Sequence, residues 1–299
     1  MRLIVNEKDI TQLLIGLKWA GDMEERSRSV DFTYLYKKGH GIPLVEVRAG
    51  DSINLFDDAG KVVFIGMVTM VSSTLEGSDV SVTARDVLWH LGKNKAAGVY
   101  QGPADGITRK ILEEFGIEAD ALPAGAVEKD IISTGDKTIY QVIQEAYGED
   151  FYLYAAGKKV GVAKKAVEVA AIISGAANLL SASYKVSVED MVNQVTITDK
   201  DGAKTGMVNN PEDLKYGILQ SVYKAEDGKD AQAEARKLLK GSSDESSIEA
   251  IGSFLVVAGK AIILQDTTNG FAGKFLVTSD SHSFSKGMHT MDLSLEVVK

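Results

Sequence analysis

Three residues near the C-terminus, Asp280, His282 and His289, have side chains of the kind that bind metal ions. If Lys286-Gly287 closes a two-residue hairpin, Phe284 lies opposite His289, and His282 is displaced diagonally by one same-face step. A zinc or iron site needs three such ligands that converge, with further groups that fix the imidazole tautomers. This hairpin supplies at most three. We therefore assign no metal and no cofactor, and expect polar groups that line a turn or a subunit contact and bond to the backbone.

Acidic pairs are the next candidates, because glycoside cleavage uses two carboxyl groups roughly 5–10 Å apart across a cleft. The pairs Glu113-Glu114 and Glu24-Glu25 and the single residue Glu145 lie on the polar face or edge of predicted elements. We expect these carboxylates to be solvated.

A calcium-binding loop is the third candidate, since Asp199-Lys200-Asp201-Gly202 resembles the start of one. Asn210 stands where that loop needs a bidentate Glu. The pattern therefore favours a hairpin turn, and the same holds for Asp57-Asp58-Ala59-Gly60.

Nucleophile motifs are also missing from the sequence. There is no Gly-x-Ser-x-Gly pattern, and Ser281-His282-Ser283 is the one place where a serine adjoins a histidine. Neighbouring residues of a strand point to opposite faces, so neither serine naturally meets that imidazole. We predict that the protein is not an enzyme and assign no catalytic residue.

Composition narrows the class of protein further. The 299 residues carry a formal charge of −9 and no cysteine. The acidic balance argues against a specific nucleic-acid partner, because such proteins concentrate Lys and Arg. The absence of cysteine excludes disulfides and fits synthesis in a reducing cytoplasm. The N-terminus lacks the apolar core of a signal peptide, and the most apolar stretch, Ala166–Leu180, is too short and polar to span a membrane.

The elements that must position these residues are mainly β-strands, with one mixed region in the middle. Short strands and turn residues fill residues 1–93, which predicts a first β-barrel-like domain. Residues 94–177 predict an α+β domain with helices at Ala104–Phe115 and Thr138–Tyr147. Strands return over residues 178–299 as a second β-barrel-like domain, with a helical insertion near 229–247. The fold class is thus mainly β with an α+β insertion.

The two predicted β-domains contain related segments. Gly50–Asn94 has a faint echo in Gly270–Val298, where an apolar strand, a Ser-rich run, a polar turn and an alternating strand follow in the same order. A duplicated β-module lets a trimer present six similar surfaces, which suits a six-fold partner.

Several of these segments resemble the baseplate hub proteins of contractile phage tails and phage-tail-like bacteriocins, in particular the late control gene D class found in prophages. The matching segments follow one another in the same order over most of the chain. They are Phe64-Ile65-Gly66, Val80–Asp86, Val87–Asn94, Asp136–Tyr147, Ile248–Gly252, Gly273–Val277, His282, Lys286-Gly287, His289 and Met291.

The resemblance implies a homotrimeric hub whose two β-domains per subunit form a pseudo-six-fold ring. Such a ring meets a hexameric tail tube or tube-initiator protein on one side and a trimeric spike on the other, beside other baseplate proteins. It is synthesised in the bacterial cytoplasm and assembled into a virion or tail-like particle, with no membrane contact in the resting state. We expect any spike or peptidoglycan hydrolase to be a separate polypeptide.

Two alternatives from other classes stay open. A tail-associated peptidoglycan-degrading enzyme would need two acids, such as Glu113 and Glu145, that face one cleft. A carbohydrate- or receptor-binding tail protein would need exposed aromatic side chains clustered on loops. The aromatic residues here fall inside strand patterns, which favours a role in the core.

Overall fold

The computed structural model describes residues 1–24, 27–36, 45–73, 78–226, 228–266, 271–285 and 287–298. Its backbone is 54% strand and 15% helix, so the prediction of a mainly β fold is confirmed. Two compact units are present: Met1–Ala182 with Ser247–Lys299, and Ser183–Ser246. None of the helices in these ranges is long and apolar enough to cross a membrane.

The N-terminal strands bury every second residue, as the alternating apolar pattern predicts. Their shared core contains Leu3, Trp19, Phe32, Tyr34 and Leu55. A short 3₁₀ turn, Thr11–Leu13, joins the second and third strands. The strands are β1 (Arg2–Val5), β2 (Lys8–Asp9), β3 (Leu14–Asp22), β4 (Ser29–Leu35), β5 (Ser52–Phe56), β6 (Val62–Ser73) and β7 (Asp79–Arg85).

The middle of the chain contains three helices packed against two hairpin-like strand pairs. Its core is separate from the first and includes Leu91, Ile111, Leu112, Val142 and Ile143. The elements are α1 (Leu88–Lys93), β8 (Lys95–Pro103), α2 (Ala104–Glu114), β9 (Glu128–Thr138), α3 (Ile139–Tyr147), β10 (Phe151–Ala156) and β11 (Lys159–Lys164). The two predicted helices are thus present within one residue of their predicted bounds.

Two strands, β12 (Val169–Ser174) and β13 (Leu179–Ser187), lead into the second unit. That unit has a small core of its own around Val195, Ile197 and Ala235. Its elements are β14 (Gln194–Thr198), β15 (Lys204–Asn209), a 3₁₀ helix at Pro211–Tyr216, β16 (Gln220–Lys224) and α4 (Ala231–Lys237). Asp199 Oδ1 accepts hydrogen bonds from the backbone N–H groups of Asp201 and Ala203, so the predicted turn there is confirmed.

The chain returns to the first unit through β17 (Ser243–Ile251) and ends with β18 (Ala261–Asp266), β19 (Phe271–Ser285) and β20 (Met288–Val297). These strands and β12 enclose a third core in the first unit, with Ile173, Ile262, Leu264, Val277 and Leu293. The division of the chain at 93 and 177 stays a prediction.

One strand order occurs twice in the sheet. The N-terminal strands lie in the order β1-β5-β6-β7-β4-β3, and the later strands in the order β12-β18-β19-β20-β17-β13. We number the six strands of each set from one to six along the chain. Neighbouring strands in the sheet then follow the order one, four, five, six, three, two in both sets. The echo between Gly50–Asn94 and Gly270–Val298 is therefore part of a six-stranded unit present twice. The copies differ at one edge, because β1 is antiparallel to β5 whereas β12 is parallel to β18.

Candidate functional site

The strand pair β3 and β19 joins the two six-stranded copies into one sheet. Their antiparallel register runs from Leu17 opposite Phe284 to Asp22 opposite Ser279. Trp19 lies directly opposite His282. All three predicted candidate ligands, Asp280, His282 and His289, belong to this junction or to the hairpin beside it.

The hairpin itself has the predicted register. Phe284 pairs with His289 and Ser285 with Met288, while His282 pairs with Met291. The diagonal step between the two histidines is short enough for contact, because His282 Nδ1 lies 3.0 Å from His289 Nε2. Asp280 and His282 do not line a turn, because they are 2% and 0% exposed in the sheet interior. The predicted hydrogen bonds to the backbone are present at both residues, with Ala258 and Val256 as partners.

Asp280 is paired with a residue that sequence reasoning missed, Arg28. The Arg28 guanidinium donates from Nη1 to Oδ1 at 2.8 Å and from Nη2 to Oδ2 at 2.5 Å. The backbone N–H of Ala258 donates a third hydrogen bond to Oδ1 at 2.6 Å. Burial alone would raise the pKa of Asp280, but the charge and hydrogen bonds of Arg28, with a further bond from His282, hold this pKa at about 2.

Arg28 is positioned by aromatic and glycine residues of β3. Its guanidinium carbon lies 4.2 Å from the centre of the Trp19 ring, which favours a cation–π contact. A Cβ atom on Gly21 would come within 2.3 Å of Arg28 Nη1. Glycine is therefore required where the guanidinium crosses the strand.

The two histidines complete the network. His282 Nε2 lies 2.9 Å from the carbonyl oxygen of Val256, which can only accept, so Nε2 carries the hydrogen. The other nitrogen, Nδ1, shares a hydrogen bond of 3.0 Å with Nε2 of His289. Burial, and then the neighbouring His282, lower the pKa of His289 to about 4. A Cβ atom on Gly252 would lie 2.1 Å from the His289 ring, so this glycine permits the close approach.

These contacts define what the site can do. Both ring nitrogens of His282 and both oxygens of Asp280 already have partners inside the protein. Within the described ranges no group of three or more His, Cys, Asp or Glu residues is arranged to hold a metal ion. The arrangement suits a rigid polar brace between two β-units.

The carboxylates considered for glycoside cleavage lie elsewhere. Glu113 is exposed on α2. Glu145, on α3, accepts a hydrogen bond of 2.6 Å from Lys137. Glu24 is exposed after β3, and Glu25 lies outside the described residues.

Comparison with known structures shows that this is the fold of phage tail proteins. The 43 kDa tail protein of prophage MuSo2 from Shewanella oneidensis has 16% identity and a TM-score of 0.75, with 99% of this chain and 98% of that chain covered. A tail protein from Neisseria meningitidis MC58 has 14% identity and a TM-score of 0.72, with 98% and 95% covered.

A third similar structure comes from a secretion system. The E. coli c3393 protein, described as a component of the type VI secretion system, has 11% identity and a TM-score of 0.59, with 100% of this chain and 77% of that chain covered. By sequence, the chain belongs to the YQBQ-like family, whose model matches residues 17–296. No curated protein matches it in sequence.

Proposed function

We propose that the protein is a structural component of a phage tail or a related injection particle. Within that class we assign it the role of baseplate hub, which adapts a hexameric tail tube to a trimeric spike. It acts by assembly and carries out no catalysis. Its partners are two further copies of itself, the spike, the tube or tube-initiator protein and neighbouring baseplate proteins.

The observation that carries the proposal is the six-stranded unit present twice in one chain. Three chains that each contribute two such units supply six similar surfaces around one axis. A ring of this kind matches six-fold symmetry on one side while its chains keep three-fold symmetry on the other. The buried brace at the β3–β19 junction supports this role, because it fixes one copy against the other.

The similar structures support the tail assignment. Two of them are tail proteins from prophage and bacterial sources, and a third is a secretion component described as similar to T4 tail proteins. The acidic charge of −9 is compatible with a conduit wall, because like charge discourages adhesion of nucleic acid.

Native mass spectrometry combined with tube binding tests the hub assignment. We expect a species of three chains, each of 32.1 kDa, that binds a tail-tube protein and a spike protein of the same particle. Images of the ring should show six similar densities. A protein that binds neither tube nor spike, or that cleaves purified peptidoglycan, would contradict the proposal.

A further inference from the structure

Within one chain, the two copies of the six-stranded unit meet through a defined strand pair. The second strand of the first copy, β3, pairs with the fifth strand of the second copy, β19. If the two copies exchange roles, the matching pair is β13, the second strand of the second copy, with β6, the fifth strand of the first copy. These two strands do not pair with each other in the sheet order.

Both strands are placed to accept a partner. β13 is the last strand at one end of the sheet order, next to β17. In the described part of the chain, β5 pairs with β6 only as far as Met67, whereas β7 follows β6 on the other side to Ser73. Residues 69–73 of β6 therefore extend beyond β5, in the same way that Ser279–Phe284 of β19 extends beyond β18 to meet β3.

The side chains of β13 are more exposed than those of its counterpart β3. β3 and β13 are both nine residues long, and aligning them places Tyr184 at the position of Trp19. Trp19 is 3% exposed, whereas Tyr184 is 49% and Val186 51% exposed. Tyr184 and Val186 alternate, so they share one face of the strand. Exposed apolar strands at a sheet end are templates for pairing with another chain.

We propose that β13 pairs antiparallel with residues 69–73 of β6 in a second copy of this chain. The contact repeats between chains the β3–β19 junction that each chain contains within itself. Because different strands meet, the interface is head-to-tail, the kind that forms a ring when the rotation between successive chains closes. The strand pairing is argued from this structure alone, and the closure at three chains rests on the proposed function.

The β-bulges set the register of this contact. The β6–β7 ladder shifts between Val68 and Met70, and the β19–β20 ladder shifts between Val277 and Ser279. Superposing the bulges places Ser72 where Ser281 lies. Ser281 pairs with Ala20, and the counterpart of Ala20 in β13 is Lys185. Lys185 of one chain therefore lies opposite Ser72 of the next, and Val186 opposite Val71.

Engineered disulfides test the contact cleanly, because the chain contains no cysteine. Directly opposed residues of an antiparallel pair have Cα atoms about 4.5–5.5 Å apart, which suits a disulfide. Lys185→Cys combined with Ser72→Cys should give covalently linked chains under mild oxidation. Equal mixtures of the two single variants should give linked dimers.

Two control pairs accompany this variant. Ala20→Cys with Ser281→Cys reproduces the junction within one chain, so it should close an internal disulfide at any protein concentration. Lys185→Cys with Lys8→Cys uses β2, at the far end of the sheet order, and should leave the chains unlinked.

The outcomes separate this inference from the hub assignment. A native trimer whose Lys185–Ser72 variant stays unlinked, while the internal control closes, overturns the strand pairing and leaves the hub role intact. Linked rings that bind neither tube nor spike support the pairing and overturn the hub role. A protein that is monomeric at every concentration overturns the pairing.

A second variant measures the same contact without cysteine. Val186→Lys places a charge where the proposal buries a valine, and we expect at least a tenfold loss in association between chains. Val99→Lys, at a position 61% exposed on β8, is the matched control and should associate normally. Unchanged association of Val186→Lys would overturn the proposal.

Discussion

At the scale of single residues, Asp280 shows what a buried charge requires. Two hydrogen bonds from Arg28 and one from the backbone N–H of Ala258 satisfy its oxygens. A buried carboxylate without such partners would lose its hydration, and no hydrogen bond or opposite charge would compensate for that loss. The brace therefore depends on every member of the network being present.

We predict that Asp280→Asn lowers the free energy of unfolding by about 3–5 kcal/mol, because it leaves the Arg28 guanidinium partly buried without its countercharge. Urea denaturation followed by circular dichroism measures the loss. Asp292→Asn, an exposed change on β20, should stay within about 0.5 kcal/mol of the parent. Equal effects of the two substitutions would contradict the brace.

His289 predicts a dependence of stability on pH. Its pKa is about 4 in the folded protein, because of burial and the neighbouring His282, and about 6.5 in an unfolded chain. Between these values the unfolded chain binds more protons, so stability falls as the pH drops from 6.5 towards 4. His289→Gln should lose less stability than the parent over this window.

The parent protein alone does not reveal the His289 effect on stability, because a second buried group, Asp86, changes stability with pH in the opposite direction. Burial raises the pKa of Asp86 to about 7, against the effect of hydrogen bonds from the Arg28 and Leu88 backbone. This group alone makes the protein more stable as the pH falls from 7. Thermal melts of the parent, His289→Gln and the exposed-site control His90→Gln isolate the His289 contribution. Identical pH slopes for all three proteins would refute it.

At the scale of elements, α3 shows how local sequence fixes a boundary. Thr138 Oγ1 accepts from the Gln141 N–H at 3.3 Å, and the Gln141 side chain accepts from the Thr138 N–H at 2.8 Å. This reciprocal capping box satisfies two backbone donors at the start of the helix.

We expect Thr138→Ala to cost about 1 kcal/mol of unfolding free energy through loss of the cap. Thr134→Ala, at an exposed position of β9, is the matched control and should be close to neutral. Chemical denaturation measures both. A loss as large at Thr134 as at Thr138 would show that the cap is not responsible.

Helices and hairpins were predictable because their signals are local. α2 and α3 combine an apolar face with a following glycine, and the β14–β15 hairpin turns at Asp201-Gly202. The sequence does not predict β3, because Gly16 and Gly21 interrupt the alternation of apolar and polar residues along it. Gly21 is there for Arg28, a contact that no local pattern reveals. The alternating apolar residues of Leu44–Arg48 predict a further strand. This prediction is wrong over residues 45–48, where Val45 and Val47 are buried without pairing as a strand, and Leu44 lies outside the described residues.

The candidate site was predictable only in part. The hairpin register gave the contact between Phe284 and His289, and the sequence pattern gave the three ligand-like residues. The role of these residues depends on Arg28, which is 252 positions away from Asp280 along the chain. Pairing over such a separation follows from the order of strands in the sheet.

At the scale of the whole molecule, the continuous sheet couples the two six-stranded copies. Phe284 of β19 belongs to the core of the N-terminal strands, and Trp19 of β3 contacts His282 across the junction. The copies should therefore unfold together.

We predict that a Trp89→Phe variant, whose remaining tryptophan is Trp19, gives a fluorescence transition at the same denaturant concentration as the loss of β-sheet circular dichroism. Trp19→Phe leaves Trp89 as a reporter of α1 and is the companion variant. A Trp19 transition well before the circular dichroism transition would show that the copies separate first.

The links between second and third strands differ between the two copies. Residues 23–28 form the link from β3 to β4, and residues 188–242 form the link from β13 to β17. The short one delivers Arg28 to Asp280, so lengthening it would displace a residue that the interior depends on. The long link, residues 188–242, lies within the second compact unit, which has its own hydrophobic core. Of these two equivalent positions, one is constrained by the Arg28–Asp280 pair and the other accommodates a folded insertion.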